Sequence, residues 1–475
     1  MNKLFRRISL YSILTVAVSV AVLAQQPAQF STERLRIHVT HLASDELEGR
    51  RTGTPGAERA GQYIAKEFKR LGLRPGVQTA QGANGNKAKS DYLQHFSFAY
   101  RGKDNVHGAA PVQPTREPVT LTGANVIGIL EGSDPVLKNE AIVIGAHYDH
   151  LGRGGSGSLA QREGGIHHGA DDNASGVAGI IELARTFTAQ RPKPRRTIVF
   201  IAFSGEEEGL LGSDYYVNHP VVPIANTIAM INLDMIGRLK NRNLIIGGVG
   251  TAQEWRSMIE TANLWQGMTV TAAGSTTQGN GLPVVVAANG RPIVTNDSSK
   301  SFVLTLNDDG FGPSDHASFY KKQIPVLFFW TGTHEDYHKP SDTADKINYD
   351  GETMVLGMIG RIVRALDAND KRPTYAVAKS ESTGRTGFRV YLGTIPNYAD
   401  TNEGLLLDGV RDDSPAAKAG LKAGDRVVKL AGRNVRNIED YTAALGEMKA
   451  GQEYEIEIVR GTERLKLKLT PAARR

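Results

Sequence analysis

Five short polar motifs, each directly after an apolar stretch, carry the residue types that could do chemistry in this chain. They are His147-Tyr148-Asp149, Asp171-Asp172-Asn173, Glu206-Glu207-Glu208, Asp234 and Tyr337-His338. Imidazole nitrogen and carboxylate oxygen are zinc ligands, and two-metal hydrolytic sites combine such ligands with a carboxylate base. The motifs hold enough ligands for two divalent ions and leave one carboxylate over. Their residue types therefore predict metal-assisted hydrolysis.

Each motif also has a purely structural interpretation. His147 could be a packed loop histidine, although the carboxylate of Asp149 could hold its second ring nitrogen. Asp171-Asp172-Asn173 could cap the helix that follows, and the three glutamates could form a solvated helix start. Asp234 is harder to explain in this way, because it ends the apolar run IAMINLD and a buried carboxylate needs a partner. A metal ion is the simplest partner.

The apolar pattern predicts the elements that position these motifs. Apolar residues recur at helical spacing from Pro55 to Leu71 and from Ala174 to Ala189. The alternation of helices with strands predicts an α/β sheet covered by helices on both faces. In such sheets ligands bind beyond the carboxyl ends of the strands, which is where the five motifs stand. Buried strands are predicted at 125–130, 140–146, 196–204, 227–234 and 325–330.

Composition and the amino terminus bound the class of protein. Lys3, Arg6 and Arg7 precede an apolar stretch that ends in small residues at Ala24, which predicts a signal peptide over residues 1–24 and a periplasmic or secreted mature protein. We expect no integral membrane segment after its cleavage, and an uncleaved amino-terminal anchor is the alternative. The chain has no cysteine, which excludes disulfides and thiol catalysis. Its 56 basic and 50 acidic residues are interspersed, which argues against nucleic acid as a partner.

Five segments resemble one enzyme family. GAHYDHLG, GADDNASG, FSGEEEGLLGS, INLDMIG and YHKPSDT, in this order, resemble the co-catalytic zinc aminopeptidases, which include secreted bacterial leucine-type aminopeptidases and, more distantly, glutamate carboxypeptidases. LASDELEGR extends the resemblance, which covers roughly residues 34–368. It implies the zinc exopeptidase fold, an α/β domain with a mixed, mostly parallel sheet sandwiched by helices, at residues 30–372. It also implies two Zn²⁺ per chain.

The resemblance implies a role for individual residues. Glu206 would be the general base, Tyr337 would stabilise the oxyanion, and Asp149 would orient His147. The bond between Asp172 and Asn173 resembles the family's cis peptide, and Ser314-Asp315-His316 resembles a segment that supports the site. The metal ligands would be His147 and Asp234 for one zinc, Glu207 and His338 for the other, and Asp172 as the bridge.

A second domain is predicted at residues 387–473, after a polar linker at 373–386. Its segment SPAAKAGLKAGDRVVKLAGRNV resembles a bacterial PDZ domain, a small α+β module that binds peptide carboxyl termini by adding a strand to its sheet. Tyr391-Leu392-Gly393-Thr394 resembles the carboxylate-binding loop of that module. A docking domain without a peptide ligand is the alternative.

These observations together favour a secreted or periplasmic zinc aminopeptidase that acts on peptides with a free amino terminus. One alternative is a related metallo-carboxypeptidase, which needs a basic pocket for the substrate carboxylate and could use Arg238. The other is a peptide-binding scaffold in which the PDZ domain carries the function and the metal site is structural.

Overall fold

The computed structural model describes residues 30–78, 90–100, 119–154, 158, 160, 164–266, 268–271, 293–297, 300–378, 390–396, 404–410, 414–436 and 438–473. The predicted signal peptide at 1–24 and residues 379–386 of the predicted linker lie outside the described residues. Within the described ranges, no helix combines the length and the apolarity needed to cross a bilayer. The domain boundaries 30–372, 373–386 and 387–473 stay predictions.

The described elements alternate between helices and strands. The helices are α1 (Thr32–Leu42), α2 (Pro55–Arg70), α3 (Gly176–Ala189), α4 (Leu211–Asn218), α5 (Trp255–Gln266), α6 (His316–Tyr320), α7 (Tyr349–Ala368), α8 (Pro415–Lys418) and α9 (Ile438–Glu447). The strands as far as the linker are β1 (Arg74–Pro75), β2 (Val77–Gln78), β3 (Ser90–Asp91), β4 (Leu93–Tyr100), β5 (Val119–Leu130), β6 (Ala141–His147), β7 (Thr197–Phe203), β8 (Thr227–Leu233), β9 (Asn243–Gly247), β10 (Met268–Thr271), β11 (Ile293–Asn296), β12 (Val303–Leu306) and β13 (Val326–Trp330).

Nine of these strands form one mixed sheet, in the order β1-β5-β7-β6-β8-β13-β9-β12, with β4 also paired to β5. The four central strands β7, β6, β8 and β13 are parallel to one another. On one side β5 runs antiparallel to β7, and on the other β9 runs antiparallel to β13. The predicted mixed sheet is confirmed, with a parallel centre and antiparallel flanks. The strand predicted at 125–130 is longer than expected and begins at Val119.

Helices cover both faces of this sheet, as predicted. The burial of β6 shows this, because successive side chains of a strand point to opposite faces and those of β6 enter two different cores. Ile142 and Ile144 belong to the core shared with α1, α2, α3, α5 and α7, whereas Ala141 and Val143 belong to the core shared with α4 and α6. A strand buried on both faces reads as a continuous apolar run, and this is the signal that located β6 in the sequence.

The carboxyl-terminal residues form a separate small α+β unit. Its strands are β14 (Val390–Tyr391), β15 (Thr394–Pro396), β16 (Leu405–Val410), β17 (Arg426–Leu430), β18 (Arg433–Asn434), β19 (Tyr454–Arg460), β20 (Glu463–Leu469) and β21 (Ala472–Ala473). Six of them form a sheet in the order β15-β16-β17-β19-β20, with β18 paired to β17, and β14 pairs with β21. This unit has its own apolar core, which includes Leu392, Val427, Tyr441 and Ile456.

Candidate metal centre

The predicted site residues converge at one edge of the large sheet. His147 is the last residue of β6, Asp234 directly follows β8, and Glu206 and Glu207 follow β7. His338 lies in the loop after β13. The four strands are parallel, so their carboxyl ends meet at the same edge. At that edge the residues His147, Asp172, Asp234 and His338 are all buried, with 8% of their surface exposed or less.

One candidate ligand group surrounds His147. Its Nε2 lies 3.3 Å from Oδ1 of Asp172 and 3.2 Å from Oδ1 of Asp234. The ligand atoms of these three residues all lie within 4.8 Å of one another. Burial alone would lower the pKa of His147, but the carboxylates of Asp234 and Glu206 outweigh it and raise the pKa well above its usual value. A cation at this position would neutralise the same carboxylates that raise the pKa of His147.

A second group mirrors the first across Asp172. Nε2 of His338 lies 3.2 Å from Oδ2 of Asp172 and 3.4 Å from Oε2 of Glu207. The two oxygens of Asp172 therefore face different histidines, as a bridging carboxylate requires. In a tetrahedral zinc site with bonds of about 2.0–2.1 Å, neighbouring ligand atoms lie about 3.3 Å apart. Both groups have this spacing, so their residues fit two zinc ions.

His150 is a third histidine at the site, and the sequence analysis did not select it. Its Nδ1 lies 2.7 Å from Oε1 of Glu207 and 3.8 Å from Oδ2 of Asp172, and these three residues also form a group within 4.8 Å. The short contact to Glu207 is a hydrogen-bond distance, whereas the contacts of His338 have the spacing of two ligands on one metal. Burial lowers the pKa of His150 to about 3, so the ring is neutral and can donate through Nδ1. His338 therefore stays the predicted ligand, and we expect His150 to orient Glu207.

This distinction predicts different metal contents for two variants. His338→Ala should bind one zinc per chain, because one histidine ligand is lost. His150→Gln should keep two zinc ions but bind the second more weakly. Loss of a residue that hydrogen-bonds to a metal ligand typically lowers metal affinity by ~10–100-fold. Metal analysis after dialysis against buffered zinc measures both. One zinc in His150→Gln together with two in His338→Ala would reverse the assignment.

The expected role of Asp149 needs a correction in its atomic detail. We expected the carboxylate to hold Nδ1 of His147, but that nitrogen lies 3.2 Å from the backbone carbonyl oxygen of Asp149 and 3.9 Å from its Oδ1. The carboxylate instead accepts a hydrogen bond from the backbone N–H of Glu206, at 3.2 Å. Asp149 is fully buried, and it links the loop after β6 to the loop after β7.

Further residues fix the candidate aspartate ligands. Oδ2 of Asp234 accepts a hydrogen bond from Ser314 at 2.8 Å, which agrees with a supporting position for Ser314-Asp315-His316. Oδ2 of Asp342 accepts the backbone N–H groups of Asp171 and Asp172, at 2.9 and 3.1 Å. The predicted cis peptide bond between Asp172 and Asn173 is present. Asp342 belongs to the motif YHKPSDT, but the sequence offered no sign that it contacts Asp172.

Glu206 lies beside the metal groups, and no hydrogen bond or ion pair ties its side chain to a described partner. Burial raises its pKa well above the usual value; the nearby His147 opposes this shift, and the carboxylates of Glu207 and Asp234 add to it. Glu208, in contrast, pairs with Arg51 at 2.9 Å. The three consecutive glutamates thus have three different environments. Glu206 is held among the charges of the site, Glu207 is at a candidate ligand position, and Glu208 is in an ion pair.

Tyr337 and Arg238 border this region. The ring of Tyr337 stacks on His338 with 3.9 Å between centroids, and burial together with the carboxylates of Asp172 and Glu207 raises its pKa well above 10. Its hydroxyl therefore stays protonated and can donate a hydrogen bond. Arg238 donates to Oδ2 of Asp336 at 2.9 Å. The same carboxylate pairs with Lys346 at 2.6 Å, and Oδ1 of Asp342 lies 3.8 Å from Nη1 of Arg238, so the guanidinium already has acidic neighbours.

The predicted carboxylate-binding loop directly precedes an edge strand. Tyr391 ends β14, Leu392 and Gly393 form the turn, and Thr394 begins β15. β15 is the last strand on its side of the described sheet, which is the kind of position where a PDZ domain adds a peptide strand. The hydroxyl of Thr394 lies 2.6 Å from that of Tyr441 on α9, and this contact joins the strand to the helix beside it.

This fold and this site define a class of protein. Histidines and carboxylates converge at the strand ends of an α/β sheet beside a further carboxylate, which is the composition of a metal-dependent hydrolase. The chain belongs to peptidase family M28, whose sequence pattern matches residues 125–363, and residues 390–470 match the PDZ domain. It is therefore a metallopeptidase with an added PDZ domain.

Individual relatives cover parts of the chain. The uncharacterized protein YfbL of Escherichia coli K12 is 29% identical over 254 residues, which are 51% of this chain and 72% of YfbL. Leupeptin-inactivating enzyme 1 of Streptomyces exfoliatus is 26% identical over 272 residues, 57% of this chain and 48% of the enzyme. A probable zinc metalloprotease of Pyrenophora teres is 44% identical over 123 residues, 26% of this chain and 24% of that protein. The match thus spans less than two thirds of the last two relatives.

Solved structures share the fold at low identity. A glutaminyl cyclase of Bacteroides thetaiotaomicron superposes with a TM-score of 0.50 and 18% identity, over 71% of this chain and 99% of the other. The zinc aminopeptidase BSAP of Bacillus subtilis superposes with a TM-score of 0.48 and 18% identity, over 74% of this chain and all of the other. At such identities the first comparison identifies the fold and does not identify a substrate.

Proposed function

We propose that this protein is a zinc-dependent aminopeptidase that removes amino-terminal residues from peptides. The observation that carries the proposal is the pair of histidine and carboxylate groups that share Asp172, with Glu206 beside them. His147 and Asp234 would hold one ion, Glu207 and His338 the other, and Asp172 both. When bound, two such ions would supply Lewis acidity and lower the pKa of a nucleophilic water toward neutrality.

The residues around the ions would manage the protons of the reaction. Glu206 accepts a proton from the attacking water as the water oxygen bonds to the carbonyl carbon, and delivers it to the amine nitrogen as the C–N bond breaks. Tyr337 donates a hydrogen bond to the oxyanion that forms on the carbonyl oxygen. The carboxylate of Asp149 accepts a hydrogen bond from the backbone N–H of Glu206 at 3.2 Å and so holds Glu206 in place.

Two features favour the amino end of the substrate over its carboxyl end. The site is rich in carboxylates, which attract a protonated α-amine, and Arg238 is already paired with Asp336. Mass spectrometry of a peptide offered unblocked, N-acetylated or C-amidated distinguishes the two. We expect stepwise loss from the amino end of the unblocked and amidated peptides only. Loss of residues from the carboxyl end, in the acetylated peptide as well as the unblocked one, would support the metallo-carboxypeptidase alternative.

For the PDZ domain we propose recruitment of peptides through their carboxyl termini, at the loop Tyr391 to Thr394 and the edge of β15. Removal of the residues after Thr386 should raise KM for longer peptides with a free carboxyl terminus. It should leave small aminoacyl amides unaffected, because these are too short to reach a second domain. Kinetics on one peptide with a free or amidated carboxyl end tests this, and equal KM values for both in the full-length and shortened proteins would exclude a recruiting role.

We also propose that the protein acts in the periplasm or outside the cell after cleavage behind Ala24. The apolar stretch with three preceding basic residues supports this location. To test this, the protein is purified separately from the cytoplasmic, periplasmic and secreted fractions of its native cell, and its mass is measured in each. A mature chain that retains Met1 in the cytoplasmic fraction would contradict it.

A further inference from the structure

Arg50 lies beneath the candidate metal centre, in the segment LASDELEGR and outside the region matched by the M28 pattern. Its side chain is 1% exposed. Nε donates to the carbonyl of Tyr148 at 2.8 Å, Nη1 to that of His168 at 2.7 Å, and Nη2 to that of Gly169 at 2.9 Å. Nη1 also donates to the carbonyl of Leu42. A buried guanidinium is thus satisfied by backbone oxygens of three separate chain segments.

Two of these segments carry candidate metal ligands. Tyr148 directly follows His147, and Gly169 begins the turn that leads to Asp172. Backbone contacts tie the same region together: Gly152 N–H donates to Gly49 at 3.0 Å, and His167 N–H donates to Gly152 at 2.8 Å. Arg50 and its neighbour Gly49 therefore contact the loops that carry the candidate ligands.

We propose that Arg50 is a positioning residue that holds the loop of His147 and the loop of Asp172 at the spacing needed for metal binding, before the metal arrives. The proposal rests on the ligand assignment of the proposed function. The planar guanidinium presents five N–H donors on three nitrogens in a fixed fork, whereas a lysine ammonium has three donors on one nitrogen and cannot serve these four carbonyls at once. Metal affinity then depends on a residue that touches neither the metal nor the substrate.

Arg196 offers a matched control. It is also fully buried, and it donates to the carbonyls of Leu366 at 2.9 Å and Asn369 at 2.6 Å and to Glu140 at 2.8 Å. It stands just before β7, whereas the metal centre lies at the other end of that strand. Loss of Arg196 should thus reduce stability without altering the geometry of the ligands.

The test compares Arg50→Lys and Arg196→Lys with the wild type, by zinc affinity in competition with a chromophoric chelator, by thermal midpoint and by kinetics. We expect Arg50→Lys to lose ~10–100-fold in zinc affinity, the range found for partners of metal ligands, and to lower kcat at saturating zinc. Arg196→Lys should lower the thermal midpoint and keep the zinc affinity. Equal zinc affinity in both variants and the wild type would overturn the proposal, whereas a wild type without two zinc sites would instead refute the proposed function.

Hydrogen exchange of the metal-free wild type gives a second test, which does not require a folded variant. If Arg50 holds the loops in place in advance, the amides of Gly152 and His167 are protected without zinc. Protection that develops at these amides only when zinc is added would contradict the proposal.

Discussion

Replacing Glu206 with glutamine is expected to lower kcat by a factor of ~10²–10⁴ while both zinc ions stay bound. The amide has nearly the shape of the carboxylate but cannot take a proton from water, and Glu206 is outside both ligand groups. Steady-state kinetics on an aminoacyl amide, with metal analysis of the same preparation, measures both quantities.

Glu208→Gln is the matched control for this experiment, because it makes the same chemical change two residues away. Glu208 is paired with Arg51 at 2.9 Å and is not part of the ligand groups, so this variant should retain most of its activity. If Glu206→Gln retained kcat with two zinc ions bound, the base assignment would be wrong. If it lost zinc, Glu206 would be a ligand.

Replacing Asp172 with alanine is expected to remove both zinc ions and nearly all activity. Asp172 lies 3.3 Å from His147 through one oxygen and 3.2 Å from His338 through the other, so both sites lose a ligand together. Asp234→Ala should remove a ligand from one site and leave the other. Metal analysis should therefore give about zero, one and two zinc ions per chain for Asp172→Ala, Asp234→Ala and the wild type.

Thermal unfolding provides an independent measure of the same change. A ligand that binds only the folded state at a hundred times its Kd adds ~2.7 kcal/mol to the free energy of unfolding per site. Zinc should therefore raise the midpoint of the metal-free wild type markedly and that of Asp172→Ala hardly at all. A full zinc-dependent shift in Asp172→Ala would show that this residue does not bridge the metals.

The sequence was most informative where a local pattern determines position. Each candidate ligand motif follows an apolar run, and the parallel pairing of β6, β7 and β8 brings their ends together, so the motifs that contain His147, Glu207 and Asp234 could be placed near one another from the sequence pattern. The choice of Glu207 among the three glutamates rests on the family resemblance. The two buried faces of β6 explain the strength of that signal, since every residue of the strand is apolar, glycine or the final histidine.

The sequence was least informative where contacts join distant segments. Arg50 reaches Tyr148 across 98 positions, and Asp342 reaches Asp172 across 170, so no periodicity or spacing reveals either contact. His150 follows Asp149 in GAHYDHLG, but its direction toward Glu207 depends on how the loop after β6 turns. The same is true of His147, whose ring nitrogen meets a backbone carbonyl where a carboxylate was expected.

Hydrolysis of aminoacyl chromogenic amides by the mature protein tests the central claim most directly, with N-acetylated amides as matched controls. The rate should be measured as isolated, after chelation, and during titration with zinc. We expect turnover of the free-amine substrates alone, its loss on chelation, and its recovery as zinc approaches two ions per chain. Turnover that survives complete removal of metal, or its absence with two zinc ions bound, would contradict a zinc aminopeptidase.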